Sequence, residues 1–123
     1  RVSTHMSKQI TTVNPADTLQ QVYAKIVETG FTAFPVVKKK RLAGLISRRD
    51  LIRSGGSRSS MAQSSTKTVE DVMAQEVVTV SGGAPLSDAA RLMVDNDVSR
   101  LPVLDGGTLV GILDRHDVLA GLA

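Results

Sequence analysis

Two short frames in the chain combine a polar residue with a carboxylate three positions later. The first, GLISRRD, carries Ser47 and Asp50, and the second, GILDRHD, carries Asp114 and Asp117. Each frame follows an apolar run, so we predict that it ends a strand and begins a helix. The unpaired N–H groups at a helix start attract an anion, and a carboxylate can accept hydrogen bonds from hydroxyl groups. The same spacing is typical of a helix capping box, so capping alone is an alternative explanation for both frames.

The residue types of the chain do not predict a disulfide, a metal site or a catalytic nucleophile. The chain has no cysteine, which excludes disulfides, thiolate metal sites and a cysteine nucleophile. His5 has no second histidine or cysteine at metal-ligand spacing. Ser47 and Asp50 share one helix start, with no histidine placed to activate a nucleophile. We therefore expect no metal site and no catalytic residues, and we interpret the chain as a non-enzymatic protein.

The two frames belong to an internal repeat that covers most of the chain. A shift of 67 residues aligns residues 2–53 with residues 69–120 without a gap. The identical pairs are Val2/Val69, Met6/Met73, Thr12/Thr79, Val13/Val80, Leu19/Leu86, Val27/Val94, Pro35/Pro102, Val36/Val103, Leu42/Leu109, Gly44/Gly111, Arg48/Arg115 and Asp50/Asp117. Each copy is therefore one structural unit. We place the first repeat at residues 1–53, a flexible Ser/Gly-rich linker at 54–68 and the second repeat at 69–123.

Each repeat contains one amphipathic helix with a predicted buried stripe. The two stripes consist of Leu19, Val22, Tyr23, Ile26 and Val27, and of Leu86, Ala89, Ala90, Met93 and Val94. Their spacing of i, i+3, i+4, i+7 and i+8 is that of one helix face. Thr18 and Gln21 fit a capping box at the start of the first of these helices.

Strands are predicted on both sides of that helix. Residues 10–13 and 77–80 are short β-branched runs. Two further strands flank a basic turn in the first repeat and an Asp-Gly turn in the second, with Pro35 and Pro102 at strand starts. A short helix follows each hairpin. The predicted fold class is α+β, with two β-α-β-β-α repeats packed about a pseudo-two-fold axis.

Composition and charge limit the class of protein further. Only 2% of the residues are aromatic, so the core must be aliphatic. The densest basic run, Lys38–Arg41, is predicted to be a solvated hairpin turn. Nucleic-acid binding through this run is a third hypothesis. The basic face is narrow and the chain has few aromatic residues, and both facts argue against this hypothesis. No apolar run approaches the ~20 residues of a membrane helix, and no signal peptide is evident. The chain begins with Arg1 rather than Met, which is compatible with a piece of a longer protein.

The repeated motifs resemble those of CBS domains, whose tandem pairs are called Bateman modules. The resemblance rests on the Val-x-x-x-Met starts (VSTHM and VEDVM), the Thr-Val strand ends, the FPVV and RLPVL strands and the two closing frames. It covers nearly the whole chain except the linker. It implies a regulatory module that binds an adenosine-containing ligand, such as AMP, ADP, ATP or S-adenosylmethionine, in the cleft between repeats. It also implies modulation of an attached or partner enzyme, channel or transporter domain.

The resemblance assigns the closing frames to the ligand. In the family, the hydroxyl of the frame typically contacts phosphate and the aspartate holds the ribose hydroxyls, which points to Ser47 and Asp50. Asp114 replaces the hydroxyl in the second frame, and its charge would disfavour a phosphate at ~4 Å by about 1 kcal/mol even in water. The second site, with Asp117, is therefore expected to be weak, empty or suited to a ligand without a phosphate there.

Further contacts are carried over from the family to individual positions. Arg100 is the predicted cation for the Ser47 site, with Ser99 beside it, and the first repeat has no arginine at the corresponding place. His116 either reaches phosphate or is simply an exposed helix residue. The adenine would be walled by Ile10, Thr12 and Pro35, which otherwise serve only as core and strand residues.

The expected assembly and location also follow from the resemblance. We expect a cytoplasmic homodimer that needs no cofactor and has neither a membrane nor a nucleic acid as partner. The alternative function is a dimerisation or interaction scaffold without a small ligand, in which both frames are purely structural caps.

Overall fold

Short helices and strands alternate along the part of the chain that the computed structural model describes, residues 1–53 and 67–122. In chain order the elements are α1 (Val2–His5), α2 (Leu19–Thr29), β1 (Ala33–Lys38), β2 (Arg41–Ser47), α3 (Arg48–Arg53), α4 (Val69–Val72), β3 (Val80–Ser81), α5 (Leu86–Asn96), β4 (Arg100–Asp105), β5 (Thr108–Asp114) and α6 (Arg115–Leu122). They confirm the predicted α+β class. The predicted linker, residues 54–68, lies outside the described residues except for Lys67 and Thr68.

The chain forms two compact units. We call Thr11–Val77 the middle unit, and Arg1–Ile10 together with Val78–Ala123 the terminal unit. In the middle unit, β1 pairs antiparallel with β2. In the terminal unit, β4 pairs antiparallel with β5 and parallel with β3. Both predicted hairpin turns are present; the turn residues are Lys39 and Lys40 in the first hairpin and Gly106 and Gly107 in the second, while Asp105 belongs to β4.

The two amphipathic helices, α2 and α5, lie where the sequence predicts them. At the start of α2, Gln21 N–H donates to Thr18 Oγ1 at 3.2 Å and Thr18 N–H donates to Gln21 Oε1 at 2.7 Å, which confirms the capping box. Gly30 ends this helix with a φ of 75°, the left-handed conformation that glycine adopts without strain. No helix in the described ranges is long and apolar enough to cross a membrane.

The predicted buried stripes are too wide at one position in each helix. Val27 is 69% exposed and Val94 is 80% exposed, so both lie on the solvent side. The two residues occupy the same place in their repeats. The rest of each stripe is buried or half-buried. The prediction that Val27 and Val94 are core residues is therefore wrong.

The first predicted strand of each repeat is much shorter than expected. Of residues 10–13 only Val13 pairs, in an isolated parallel bridge with Val36, and of residues 77–80 only Val80 belongs to a strand. After Val13 the backbone turns, because Asp17 Oδ2 accepts the Asn14 N–H bond at 2.9 Å and the next residue, a proline, has no N–H to donate. The β-branched runs therefore predicted longer strands than the structure contains.

Pro35 and Pro102 lie at the third position of β1 and β4 rather than at the strand starts. The strand tolerates Pro35 because its register partner, Leu45, directs its own backbone groups to Ala74 instead. The carbonyl of Pro35 accepts the Val13 N–H bond at 3.0 Å. No ladder hydrogen bond of the β1–β2 pair is lost at the proline.

Each compact unit has its own core, aliphatic except for Phe34 in the middle unit, and each core includes a valine from the opposite repeat. The middle core consists of Val13, Leu19, Val22, Phe34, Val36, Ile46, Leu51 and Val69. The terminal core consists of Val2, Val80, Leu86, Ala89, Met93, Leu101, Val103, Leu113 and Val118. Val2 and Val69 are fully buried. The lead segments of the repeats, residues 2–10 and 69–77, are thus exchanged, so a sequence repeat and a compact unit are different stretches of chain.

In the middle unit, the lead segment crosses the hairpin at the glycine of the first frame. Leu45 N–H donates to Ala74 O at 3.0 Å, and Ala74 N–H donates back to Leu45 O at 2.9 Å. A Cβ added at Gly44 would lie 2.5 Å from Ala74 O and 2.8 Å from Met73 Sδ. Only a residue without a side chain allows this approach.

The terminal unit repeats this crossing at the glycine of the second frame. Ser7 N–H donates to Ile112 O at 2.8 Å, and Ile112 N–H donates to Ser7 O at 2.9 Å. A Cβ at Gly111 would lie 2.9 Å from Ser7 O. The paired glycines and the paired methionines of the lead segments are therefore parts of one packing arrangement, used twice.

Candidate functional site

The first frame joins the end of β2 to the first turn of α3. Ser47 closes β2 opposite Ala33, and Asp50 lies in the first turn of the helix. Asp50 Oδ2 accepts hydrogen bonds from Ser47 N–H at 2.8 Å and from Ser47 Oγ at 3.1 Å. Asp50 N–H lies 3.3 Å from Ser47 Oγ. The two side chains are half-buried and hold each other in place.

This geometry is that of a reciprocal helix cap, the alternative that the spacing left open. The cap still leaves the frame able to contact a ligand, because only one of the two carboxylate oxygens of Asp50 accepts a hydrogen bond from Ser47. In the described part of the chain, Asp50 Oδ1 accepts no hydrogen bond. A half-buried carboxylate oxygen of this kind can still accept a hydrogen bond from a hydroxyl group. Ligand contact by Ser47 and Asp50 stays a prediction.

The second frame is built in the same way but carries one more negative charge. Asp117 Oδ2 accepts the Asp114 N–H bond at 2.8 Å, and Asp114 Oδ1 accepts the His116 N–H bond at 2.8 Å. Asp114 therefore caps α6 with its own side chain, a task that Ser47 performs in the first frame. His116 itself is exposed.

Arg100 lies beside Asp114 in the same hairpin. The two residues are register partners across β4 and β5, and Arg100 Nε lies 3.8 Å from Asp114 Oδ2. Their side chains are 44% and 40% exposed, so the pair is weak and screened by solvent. The cation partly offsets the charge of Asp114, which sequence reasoning did not consider. The prediction that Arg100 serves the Ser47 site remains open.

The remaining predicted contacts divide between the compact units. Thr12 and Pro35 belong to the middle unit, with Ser47 and Asp50; Ile10 and Ser99 belong to the terminal unit, with Arg100, His116 and Asp117. Pro35 is buried, Ile10 and Thr12 are half-buried, and Ser99 is exposed. Ser99 O accepts the Arg115 N–H bond at 2.9 Å, and Thr32 O accepts the Arg48 N–H bond at 2.7 Å in the corresponding place.

Sequence reasoning missed one polar contact next to the predicted adenine wall. Lys25 Nζ donates to Thr12 O at 2.7 Å in a half-buried setting. A comparison of the two repeats could have revealed this contact, because Lys25 lies at the position where the second repeat has the apolar residue Leu92. The two copies therefore differ behind the predicted wall as well as at the closing frame.

Other clusters in the described ranges offer little chemistry. No three His, Asp or Glu side chains of residues 1–53 and 67–122 lie close enough to hold a metal ion. An open cavity of about 460 Å³ in the terminal unit is lined by Arg1, His5, Gly83, Pro85, Leu86, Ser87, Gly121 and Leu122. None of the predicted contacts lines this cavity.

Comparison with known proteins identifies the repeat. The family model of the CBS domain matches residues 2–56 and again residues 69–123. The CBS domain-containing protein YhcV of Bacillus subtilis is 31% identical over 114 residues, which cover 92% of this chain and 79% of YhcV. MJ1225 of Methanocaldococcus jannaschii is 31% identical over 127 residues, 96% of this chain and 45% of MJ1225.

Solved structures give the same result for the fold. The crystal structure of MJ1225 matches 99% of this chain with a TM-score of 0.86 at 29% identity. The crystal structure of CBSX2 from Arabidopsis thaliana in complex with AMP matches 98% of this chain and 94% of CBSX2, with a TM-score of 0.84 at 29% identity. This chain spans less than half of the length of MJ1225.

Proposed function

This chain belongs to the CBS domain family as a tandem pair, and on that basis we propose that it is a regulatory module that senses an adenosine-containing ligand. The observation that carries the proposal is the likeness to CBSX2, which binds AMP and matches nearly the whole chain at a TM-score of 0.84. AMP, ADP, ATP and S-adenosylmethionine are the candidate ligands. The module itself carries out no reaction, and the ligand is not a required cofactor.

Ser47 and Asp50 are the proposed principal contacts. Asp50 keeps one carboxylate oxygen without a described partner, and this oxygen would accept the hydroxyls of a ribose. Ser47 brings a hydroxyl and no charge, so it would tolerate a phosphate nearby. The frame is already ordered by its own hydrogen bonds, which lowers the cost of binding.

The second frame is proposed to be the weaker contact. Asp114 and Asp117 place two carboxylates at the start of α6, and Arg100 offsets only part of that charge. A phosphate would be disfavoured here, whereas S-adenosylmethionine, which has none, would not. Arg100, Ser99 and His116 as phosphate contacts, and Ile10, Thr12 and Pro35 as the adenine wall, complete the proposed set.

Ligand occupancy would act on another protein or domain. Regulation of that kind needs different ligand affinities in two states of the module, typically by 5- to 150-fold. MJ1225 is more than twice as long as this chain, so relatives carry further sequence beside such a pair. A homodimer in the cytoplasm, attached to or paired with a regulated domain, is the proposed setting.

Calorimetric titration with AMP, ADP, ATP and S-adenosylmethionine tests the proposal. We expect saturable binding near one ligand per chain, which Asp50→Ala weakens at least tenfold. Asp117→Ala is the matched control, because it removes the corresponding cap in the second frame and should leave the binding of AMP, ADP and ATP at the first frame intact. A nucleotide affinity that Asp117→Ala reduces more than Asp50→Ala would reverse the assignment of the two frames. No binding at millimolar ligand would refute the sensor.

A ligand-free dimerisation scaffold is the second candidate, and one observation favours it. Exposed apolar side chains recur at equivalent positions of the two repeats: Val27 and Val94 at 69% and 80% exposure, and Ile52 and Leu119 at 61% and 60%. Apolar side chains exposed twice at the same place suit a protein interface. Sedimentation of Val27→Lys/Val94→Lys would then report monomers, while unchanged dimers would count against an interface that uses these two valines.

A further inference from the structure

The tip of the β1–β2 hairpin is cationic at four consecutive positions. Lys38 ends β1, Lys39 and Lys40 form the two-residue turn, and Arg41 begins β2 opposite Lys38. All four side chains are exposed. We call these four residues the basic tip.

The backbone of the basic tip has a conformation that suits other residues better. The φ angles of Lys39 and Lys40 are 53° and 68°. A two-residue turn with positive φ at both positions normally uses Gly, Asn or Asp, because the Cβ of other L-residues crowds the following carbonyl. Lys38 and Arg41 add like charges directly opposite one another across the strands, which is also unfavourable.

The second repeat contains the same turn without these costs. Its tip runs from Asp105 to Thr108, with Gly106 and Gly107 at φ angles of 59° and 86°. The hairpin fold therefore does not require lysine at positions 39 and 40. The two tips form an internal comparison in which turn geometry is constant and only residue chemistry changes.

Nothing in the described part of the chain offsets the unfavourable features of the basic tip. Among residues 1–53 and 67–122, no aspartate or glutamate forms an ion pair with Lys38, Lys39, Lys40 or Arg41. Backbone strain that persists without an internal benefit is characteristic of functional positions. The benefit of four exposed cations must then come from a partner.

We propose that the basic tip docks on an acidic segment, rich in Asp and Glu, of the protein that this module regulates; the inference rests on the regulatory function proposed above. An exposed ion pair strengthens binding by about 1.4- to 5-fold. The combined gain in affinity from four such pairs covers the roughly 5- to 150-fold change in affinity that is typical of regulatory coupling. A tether that supplies a millimolar effective concentration makes so weak a contact sufficient and keeps it reversible.

Two other polyanions fit the basic tip less well. A lipid surface holds a peripheral protein through cations together with inserted apolar or aromatic side chains. The basic tip has the cations but contains no apolar or aromatic residue. Nucleic acid requires a wider basic face, and single strands require aromatic residues for stacking, which a four-residue turn does not offer. Carboxylates on a protein segment can bind to exposed cations alone, provided that the spacing of the carboxylates matches that of the cations.

Nuclear magnetic resonance titration of the isotopically labelled chain with a glutamate peptide of about eight residues tests the inference. We expect peptide-dependent shifts confined to residues 38–41 at low salt, lost at about 1 M salt. Lys39→Gly/Lys40→Gly should abolish them and also raise Tm by about 2–4 °C, because the strain is relieved. A Tm that does not rise, or shifts spread over the surface, would overturn the proposal.

Matched variants separate charge from strain. Gly106→Lys/Gly107→Lys should lower Tm by a similar amount but create no peptide-dependent shifts at the second tip, because Asp105 offsets part of the added charge. Lys8→Gln/Lys67→Gln removes two exposed charges elsewhere and should leave the peptide shifts unchanged. Tighter binding to duplex DNA or to phosphatidylserine vesicles than to the peptide would replace the assigned partner. Calorimetry with AMP on Lys39→Gly/Lys40→Gly should match the unmodified chain, so the sensor and the docking proposal fail separately.

Discussion

Substitution of Gly44 by alanine should damage the middle unit severely for so small a change. The added Cβ would meet Ala74 O at 2.5 Å and Met73 Sδ at 2.8 Å. Met73 has a flexible side chain and can move, but Ala74 O is a backbone atom, and residue 74 is held by two backbone hydrogen bonds with Leu45. The lead segment must therefore shift, which adds strain and weakens both bonds.

The size of this effect can be estimated from its two parts. Inserting a methyl group into a packed region costs about 1–3 kcal/mol, and each weakened backbone hydrogen bond up to about 1 kcal/mol. We expect the free energy of unfolding to fall by about 3 kcal/mol, a large share of the 5–15 kcal/mol typical of a domain. Urea denaturation followed by circular dichroism measures it, with the m-value as a check on two-state behaviour.

Two further glycines serve as controls for Gly44→Ala. Gly111→Ala should cost a comparable amount, because its Cβ would lie 2.9 Å from Ser7 O. Gly83→Ala should be nearly neutral, because the nearest atom to its Cβ is Ser81 Oγ at 3.9 Å. A loss below about 0.5 kcal/mol in Gly44→Ala, the usual range for surface changes, would refute the close-approach argument.

Two smaller effects follow from the caps and the ion pair. Thr18→Ala should lower the free energy of unfolding by about 1 kcal/mol in urea denaturation, because Gln21 N–H loses its acceptor; an unchanged midpoint would mean that the cap contributes nothing. Arg100→Gln should change the stability by less than about 1 kcal/mol, because both members of its pair with Asp114 are well exposed. A larger loss at Arg100 would show that further contacts hold this side chain.

Patterns local to a few residues predicted the structure well. The helix that starts at Leu19 and the capping box at Thr18 depend on neighbours three or four positions away, and both are confirmed, although the buried stripe ends at Ile26 rather than Val27. The resemblance to CBS domains is confirmed by the match to both repeats. The mutual contact of Ser47 and Asp50 was likewise contained in their spacing.

Features that depend on distant residues could not be predicted in this way. The pairing of Val13 depends on Val36, which lies 23 residues later, and it is limited to one isolated bridge. The pair of Arg100 with Asp114 depends on the β4–β5 register, and the bond from Lys25 to Thr12 on the packing of a helix beside a loop. The lead segments share only Val2/Val69 and Met6/Met73, and residues common to both segments carry no information on which hairpin each will join.

The exchanged lead segments set the order of events as this protein is synthesised. Roughly 105 residues separate Ser7 from its partner Ile112, a long-range contact of the kind that slows folding. At about 5–20 residues per second, the ribosome takes about 5–20 s to make the stretch between them. During that interval Val2 and its neighbours have left the ribosome but lack the core in which they are buried. The middle unit, whose pieces lie within Thr11–Val77, can close first and is the natural starting point for folding.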